Sequence, residues 1–130
     1  MYCGTDIIEV ERIKEAIEKN EMFKYKVFTE KEIQDIDKIT SDTKYQRYAG
    51  RYAAKEAIYK AISKILIDNN VTIEFNNIEV ENVEDFKRRP KVNILDSKVN
   101  KLIANYDIDI SISHVKETAI AMCIVSLKRL

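Results

Sequence analysis

Along the chain the spacing of apolar residues changes several times, and each change predicts an element. Met1 to Ile8 is a short apolar stretch that reads as a strand, and Val10, Ile13 and Ile17 then recur at helical spacing up to Asn20. Thr29 with Glu32 three residues on has the spacing of a capping box, and Ile33 and Ile36 mark one face of a short helix after it. Ser41 or Asp42 is expected to cap a longer helix, in which Tyr45, Tyr48, Tyr52, Ile58, Ile62 and Ile65 supply apolar faces. Ala49, Ala53, Ala57 and Ala61 form a small-residue stripe on that helix, which suits close packing and makes it the expected centre of the fold.

After Asn69-Asn70 the period falls to two: Val71, Ile73 and Phe75, then Ile78 and Val80, then Val92 and Ile94 alternate with polar residues, as half-buried antiparallel strands do. Val99, Leu102, Ile103 and Tyr106 return to helical spacing. Ile108, Ile110 and Ile112 then alternate again, and Ala119 to Val125 is unbroken apolar sequence. The last two segments read as a hairpin turning near Val115 to Glu117, and the final strand is expected to be buried on both faces, by helices or by another subunit. These elements predict an α+β fold, an antiparallel sheet packed against a long central helix.

A length of 130 residues suits one core, so residues 1–130 are expected to form one domain. Lys plus Arg and Asp plus Glu both number 22, so no net field draws the chain to nucleic acid or to an anionic membrane. Cys3 and Cys123 lack the spacing of a metal or redox motif and are expected as small core residues in a reducing compartment. There is no apolar run of about 18 residues and no charged-then-apolar leader, and the expected location is cytoplasmic.

Three features carry candidate chemistry: Asp6 in the first strand, the Arg51, Lys55, Glu56 and Lys60 group on the long helix, and His114 at the end of an alternating strand. Each also has a structural reading. Asp6 suits a cap, Glu56 and Lys60 are spaced as a surface ion pair, and a lone histidine is often a hydrogen-bonded structural residue. Together, two carboxylates and a lysine one turn away suit a hard divalent cation and a diphosphate. The only glycines are Gly4 and Gly50, so there is no glycine-rich phosphate loop. Phosphates would need side chains, available in Lys44, Arg47, Arg51, Lys55 and the run Lys87-Arg88-Arg89 before Pro90.

The strings GTDIIEVERI, FTEKE, RYAGRYAAKEAIYKAI and ISISHVKETAIA, in this order over nearly the whole chain, resemble the holo-acyl-carrier-protein synthase family of phosphopantetheinyl transferases. The resemblance implies that fold, and transfer of the phosphopantetheine arm of coenzyme A to a serine of apo acyl carrier protein. It implies magnesium on Asp6 and Glu56, and Lys60 against the diphosphate or leaving group; Glu56, acting directly or through a metal-held water, is the expected general base in preference to His114, which suits binding better. Arg51 and His114 belong to the implied coenzyme A pocket, with Lys44, Arg89 and Pro90 as further expected contacts. Arg12 matches the family's basic contact to the carrier protein. A homotrimer with sites between subunits is also implied, and the short length looks like the fatty-acid type. The chain departs from the family pattern in having Arg88-Arg89-Pro90 where a glycine usually precedes the basic residue, Ser63-Lys64 where glycines follow the helix lysine, and Asn20 and Met22 near the carrier contact. Two other readings are a non-catalytic module that binds a carrier protein through Arg12 and a small magnesium-dependent phosphohydrolase.

Overall fold

A computed structural model of the chain describes residues 1–82 and 89–129; Lys87 and Arg88 of the basic run lie outside the described residues. In chain order the elements are β1 (Tyr2–Glu9), α1 (Val10–Lys19), α2 (Glu21–Val27), α3 (Glu30–Asp37), α4 (Lys44–Asp68), a 3-10 turn (Phe75–Asn77), β2 (Ile78–Asn82), β3 (Pro90–Ile94), α5 (Ser97–Leu102), β4 (Tyr106–His114) and β5 (Thr118–Leu127). The α+β arrangement is the expected one: an antiparallel sheet in the order β1-β5-β4 lies against the 25-residue α4, with β2 and β3 forming a separate two-stranded ribbon.

Helix α4 is central because it buries residues on every side. Ala53, Ala57, Ile58, Ala61 and Ile62 join Ala121, Cys123 and Val125 of β5 in one cluster, while Tyr45, Tyr48 and Ala49 join Ile13, Phe28 and Ile36 in a second. The small-residue stripe has the expected purpose at β1. A Cβ on Gly4 would lie 2.0 Å from the Ala57 carbonyl oxygen and 2.8 Å from the Ala61 nitrogen, so only glycine lets the strand lie this close to the helix backbone.

The hairpin turns where expected, with the Val115 N–H donating to the Thr118 carbonyl at 2.9 Å. Along β5, Ala119, Ala121, Cys123 and Val125 are buried, whereas Ile120, Met122 and Ile124 on the other face are 47%, 47% and 37% exposed. Within one chain, helices cover one face of the last strand and leave an apolar row open on the other. Cys123 is the expected core residue, its thiol pushed up to about 12 by burial, but Cys3 points to the open face and is exposed.

Several elements differ from the sequence reading. Helix α2 is not predicted by the apolar spacing: of its hydrophobic residues only Phe23 and Val27 turn inward, while Met22 and Tyr25 are exposed, and its start is set by Asn20, whose side chain caps the Met22 N–H. Val71 to Glu74 is not a strand. Ile73 reaches the core from irregular backbone that has no partner strand among the described residues, so alternation there reflects burial without a ladder. Neither Ser41 nor Asp42 caps α4 by its side chain; the cap is Thr43, and the Asp42 carbonyl accepts from the Tyr45 N–H. Tyr106 opens β4 and does not extend α5, whose N-terminus is capped by Asp96.

Candidate active site

The site begins with a buried polar knot. The Thr29–Glu32 capping box forms as its spacing predicts, and Glu32 then does more than cap. Its Oε1 accepts from the Thr29 N–H at 2.8 Å and pairs with Lys55 Nζ at 2.7 Å, while Oε2 accepts from the Val80 N–H at 2.9 Å. Lys55 Nζ also donates to the carbonyls of Val27 and Phe75, at 2.7 and 3.0 Å. Burial pushes the Lys55 ammonium pKa down and Glu32 opposes the shift. Lys55 is therefore not a phosphate contact, as its place in the basic set suggested; it is sealed from solvent and ties α4 to α2, α3 and the β2 region.

With α4 so anchored, Tyr52, Glu56 and Lys60 fall on one stripe at intervals of four residues, on the side of the helix that meets β1. Lys60 Nζ donates to the Thr5 carbonyl at 2.9 Å and lies 3.3 Å from Asp6 Oδ1. The ion pair of Lys60 is thus with Asp6 across the interface, and not with Glu56 on its own helix. Tyr52 donates its hydroxyl to Glu56 Oε1 at 3.2 Å. Burial raises the Tyr52 pKa most, the charges of Glu56 and Asp6 raise it further, and Arg12 opposes them. All three therefore lie within electrostatic reach of this phenol. Arg12 itself is exposed on α1. Among the described residues no group of three or more His, Cys, Asp and Glu side chains is placed to hold a metal. Two carboxylates are nonetheless the donor set that fits magnesium, which takes few protein oxygens and completes its shell with phosphate and water.

A second feature lies on the other side of the helix. A cleft of about 470 Å³ is lined by Arg47, Gly50 and Arg51 of α4, by Arg89 and Pro90, by Ser111 and His114 of β4, and by Met122 and Ile124 of β5. Arg51 is only 6% exposed, and its Nε has no hydrogen-bond partner among the described residues. A buried guanidinium with an unused donor beside Arg47 and Arg89 is the chemistry of an anion site. Burial pushes the Arg51 pKa down. Arg89 pairs with Asp109 at 2.8 Å at the exposed rim. His114 Nδ1 lies 3.1 Å from Gln46 Oε1, and its pKa is lowered by partial burial and then by Arg47 and Arg51. Gly50 keeps the wall flat, since a Cβ there would lie 3.1 Å from Ile112 Cγ2.

The sequence-predicted residues thus fall into two groups. Asp6, Glu56 and Lys60, with Arg12 nearby, gather on the β1 side of α4; Arg51, Arg89, Pro90 and His114 line the cleft on the β4 side. Lys44 joins neither, lying over the Tyr45 ring at 5.3 Å. At about 100° per residue, positions 52, 56 and 60 point away from 47, 50 and 51. Strands β1 and β4 are the two edges of the sheet, so α4 stands between the groups. Sequence reading missed Tyr52 as a site residue and the cleft residues Ser111, Met122 and Ile124, although β-strand alternation marks the last two as sharing one face.

Comparison with known proteins places the chain in a family. Residues 2–123 match the family model described as the 4'-phosphopantetheinyl transferase superfamily. The holo-acyl-carrier-protein synthase of Fusobacterium nucleatum is 41% identical over 126 residues, covering 94% of this chain and 95% of that protein. That of Clostridium tetani is 40% identical over 124 residues, covering 94% and 92%. Among solved structures, the Bacillus anthracis holo-acyl-carrier-protein synthase in complex with CoA (3',5'-ADP) superposes with a TM-score of 0.74 at 29% identity, over 98% of this chain and 96% of that one. The Helicobacter pylori synthase in complex with coenzyme A gives 0.74 at 27% identity, over 95% and 99%. The chain belongs to the 4'-phosphopantetheinyl transferase superfamily.

Proposed function

We propose that this chain is a magnesium-dependent holo-acyl-carrier-protein synthase: it moves the 4'-phosphopantetheine arm of coenzyme A onto a serine of apo acyl carrier protein and releases adenosine 3',5'-bisphosphate. The observation that carries the reading is the convergence of Asp6 and Lys60 from β1 and α4, 3.3 Å apart, one helical turn from Glu56. Relatives of about 40% identity over most of the chain bear the name of this enzyme, which supports it.

Asp6 and Glu56 would hold magnesium, which when bound supplies charge stabilisation to the diphosphate. Lys60, already drawn to this point by Asp6, offers an ammonium to the diphosphate oxygens and to the leaving phosphate. Arg47, Arg51 and Arg89 supply donors for the remaining phosphate and the nucleotide end, with His114 and Pro90 forming the wall. The serine hydroxyl attacks the pantetheine-side phosphorus, its P–O bond forming as the bond to the leaving bisphosphate breaks, and Glu56 receives the hydroxyl proton directly or through water. The exposed Arg12 close to this point suits an acidic carrier surface, where charge sets orientation and encounter.

The two groups of site residues stand on opposite sides of α4, so one coenzyme A spanning both would have to pass around a helix about 10 Å thick. The open row Ile120, Met122 and Ile124 continues into the cleft wall. A homotrimer, in which the diphosphate side of one chain faces the cleft of the next, resolves both points. Among the described residues no helix is long and apolar enough to cross a membrane, and a fatty-acid carrier protein in the cytoplasm is the proposed acceptor.

The test is the intact mass of an apo acyl carrier protein incubated with this protein, coenzyme A and magnesium, beside a chelated control. A gain of about 340 Da, one arm, only with magnesium supports the reading. Carrier binding without mass gain points to a binding module, and phosphate release without any acceptor to a hydrolase.

A further inference from the structure

Among the described residues, the hydrogen-bond partner of the Glu56 side chain is the Tyr52 hydroxyl, one turn earlier on α4, at 3.2 Å. We infer that Tyr52 is a positioning residue for the reaction: it holds the Glu56 carboxylate in the orientation that receives the metal ion. This rests on the metal reading of Asp6 and Glu56 given above.

Three observations carry it. The Tyr52 ring is fixed from two directions, by Phe23 of α2 with centroids 6.3 Å apart and by Phe75 of the 3-10 turn at 6.1 Å. Its hydroxyl therefore has a defined place. The bond uses Oε1 alone, and Oε2 of Glu56 has no hydrogen-bond partner among the described residues, which leaves it available as a hard oxygen donor. The neutral phenol donates a hydrogen bond to the carboxylate and so brings no cation into competition with the metal, unlike Lys60 at Asp6. A glutamate half-exposed on a helix otherwise samples several rotamers, and ordering it on binding would weaken the complex. Partners of ligating carboxylates generally contribute about 10- to 100-fold to metal affinity.

Tyr52→Phe keeps the ring between Phe23 and Phe75 and removes only the donor. The experiment compares wild type, Tyr52→Phe and Glu56→Gln, with coenzyme A present, by calorimetry and by electron paramagnetic resonance of Mn²⁺ as the spectroscopic probe. Tyr52→Phe is expected to bind Mn²⁺ about tenfold more weakly at an unchanged melting temperature. The magnesium concentration for half-maximal turnover should rise by a similar factor, more than kcat falls; loss of packing alone would not produce that split. If Tyr52→Phe binds Mn²⁺ as tightly as wild type while Glu56→Gln binds it weakly, the inference is overturned and the metal reading stands. If Glu56→Gln also binds as wild type does, the metal reading fails and the inference with it.

Discussion

Lys55 Nζ lies 2.7 Å from Glu32 Oε1 with both side chains shut off from solvent, and this pair fixes the helix that carries Glu56 and Lys60. Removing one member leaves the other charged and buried. Lys55→Met would strand a carboxylate against the Thr29 and Val80 amides without its cation and should cost about 3–5 kcal/mol. Urea denaturation would read this as a lower midpoint at an unchanged slope. Activity should be lost only in proportion to unfolded protein, because Lys55 touches no candidate substrate group.

Asp6 and Glu56 predict the opposite pattern. Asp6→Asn and Glu56→Gln keep size and shape at half-buried positions, so circular dichroism and melting should be nearly unchanged. Turnover should fall at least 100-fold, equivalent to about 3 kcal/mol of transition-state stabilisation, the scale of a lost electrostatic donor. Full turnover by either variant at limiting magnesium would remove that residue from the proposed metal site.

How much of this was legible in the sequence depended on whether one residue could reveal its own surroundings. The capping box at Thr29 and Glu32 was readable because both partners are local, but the same Glu32 reaching Lys55 and Val80 is a long-range contact that no local pattern encodes. Lys55 therefore looked like one more cation on a helix. Asp6, Glu56, Lys60, Arg51 and His114 stood out through their strings, yet their division between the two sides of α4 follows from where β1 and β4 lie in the sheet. Period-two spacing over Val71 to Phe75 marked burial correctly and strand wrongly, since apolar alternation reports sidedness and says nothing of a pairing partner.

Gly4 links packing to the site. Its absent Cβ would stand 2.0 Å from the backbone oxygen of Ala57, an atom held by the helix, so Gly4→Ala must push β1 outward. The cost should be about 2 kcal/mol or more, as for overpacking elsewhere, and the shift would carry Asp6 away from Lys60. Melting temperature and turnover should fall together; an unchanged melting temperature would show that the strand can yield.

His114 should titrate below the ordinary histidine value of about 6.5, because partial burial and then Arg47 and Arg51 disfavour its cation. The free protein then binds fewer protons at this site than the unfolded chain does. Its contribution to stability is complete above about pH 6.5 and is lost as pH falls through the lowered folded value. A proton NMR titration of the imidazole would give the midpoint directly. Arg47→Ala should move it upward, and coenzyme A phosphate in the cleft should do the same, since an anion offsets the arginines.

The placement of Glu56 and Arg51 on opposite sides of α4 makes a prediction about shared sites. Glu56→Gln spoils the β1 side and leaves the cleft intact, whereas Arg51→Met spoils the cleft and leaves the β1 side intact. Each variant alone should be nearly inactive. If each site joins the β1 side of one chain to the cleft of the next, equal mixing and reassembly would pair two intact halves in about a quarter of the interfaces, and turnover should return to about a quarter of the wild-type value. Chains that carry Ile120→Lys as well should stay monomeric in sedimentation and show no recovery, because Ile120 lies on the open apolar face without lining the cleft. Recovery absent from a properly reassembled mixture would place both halves of the site within one chain and leave the exposed row of β5 to some other contact.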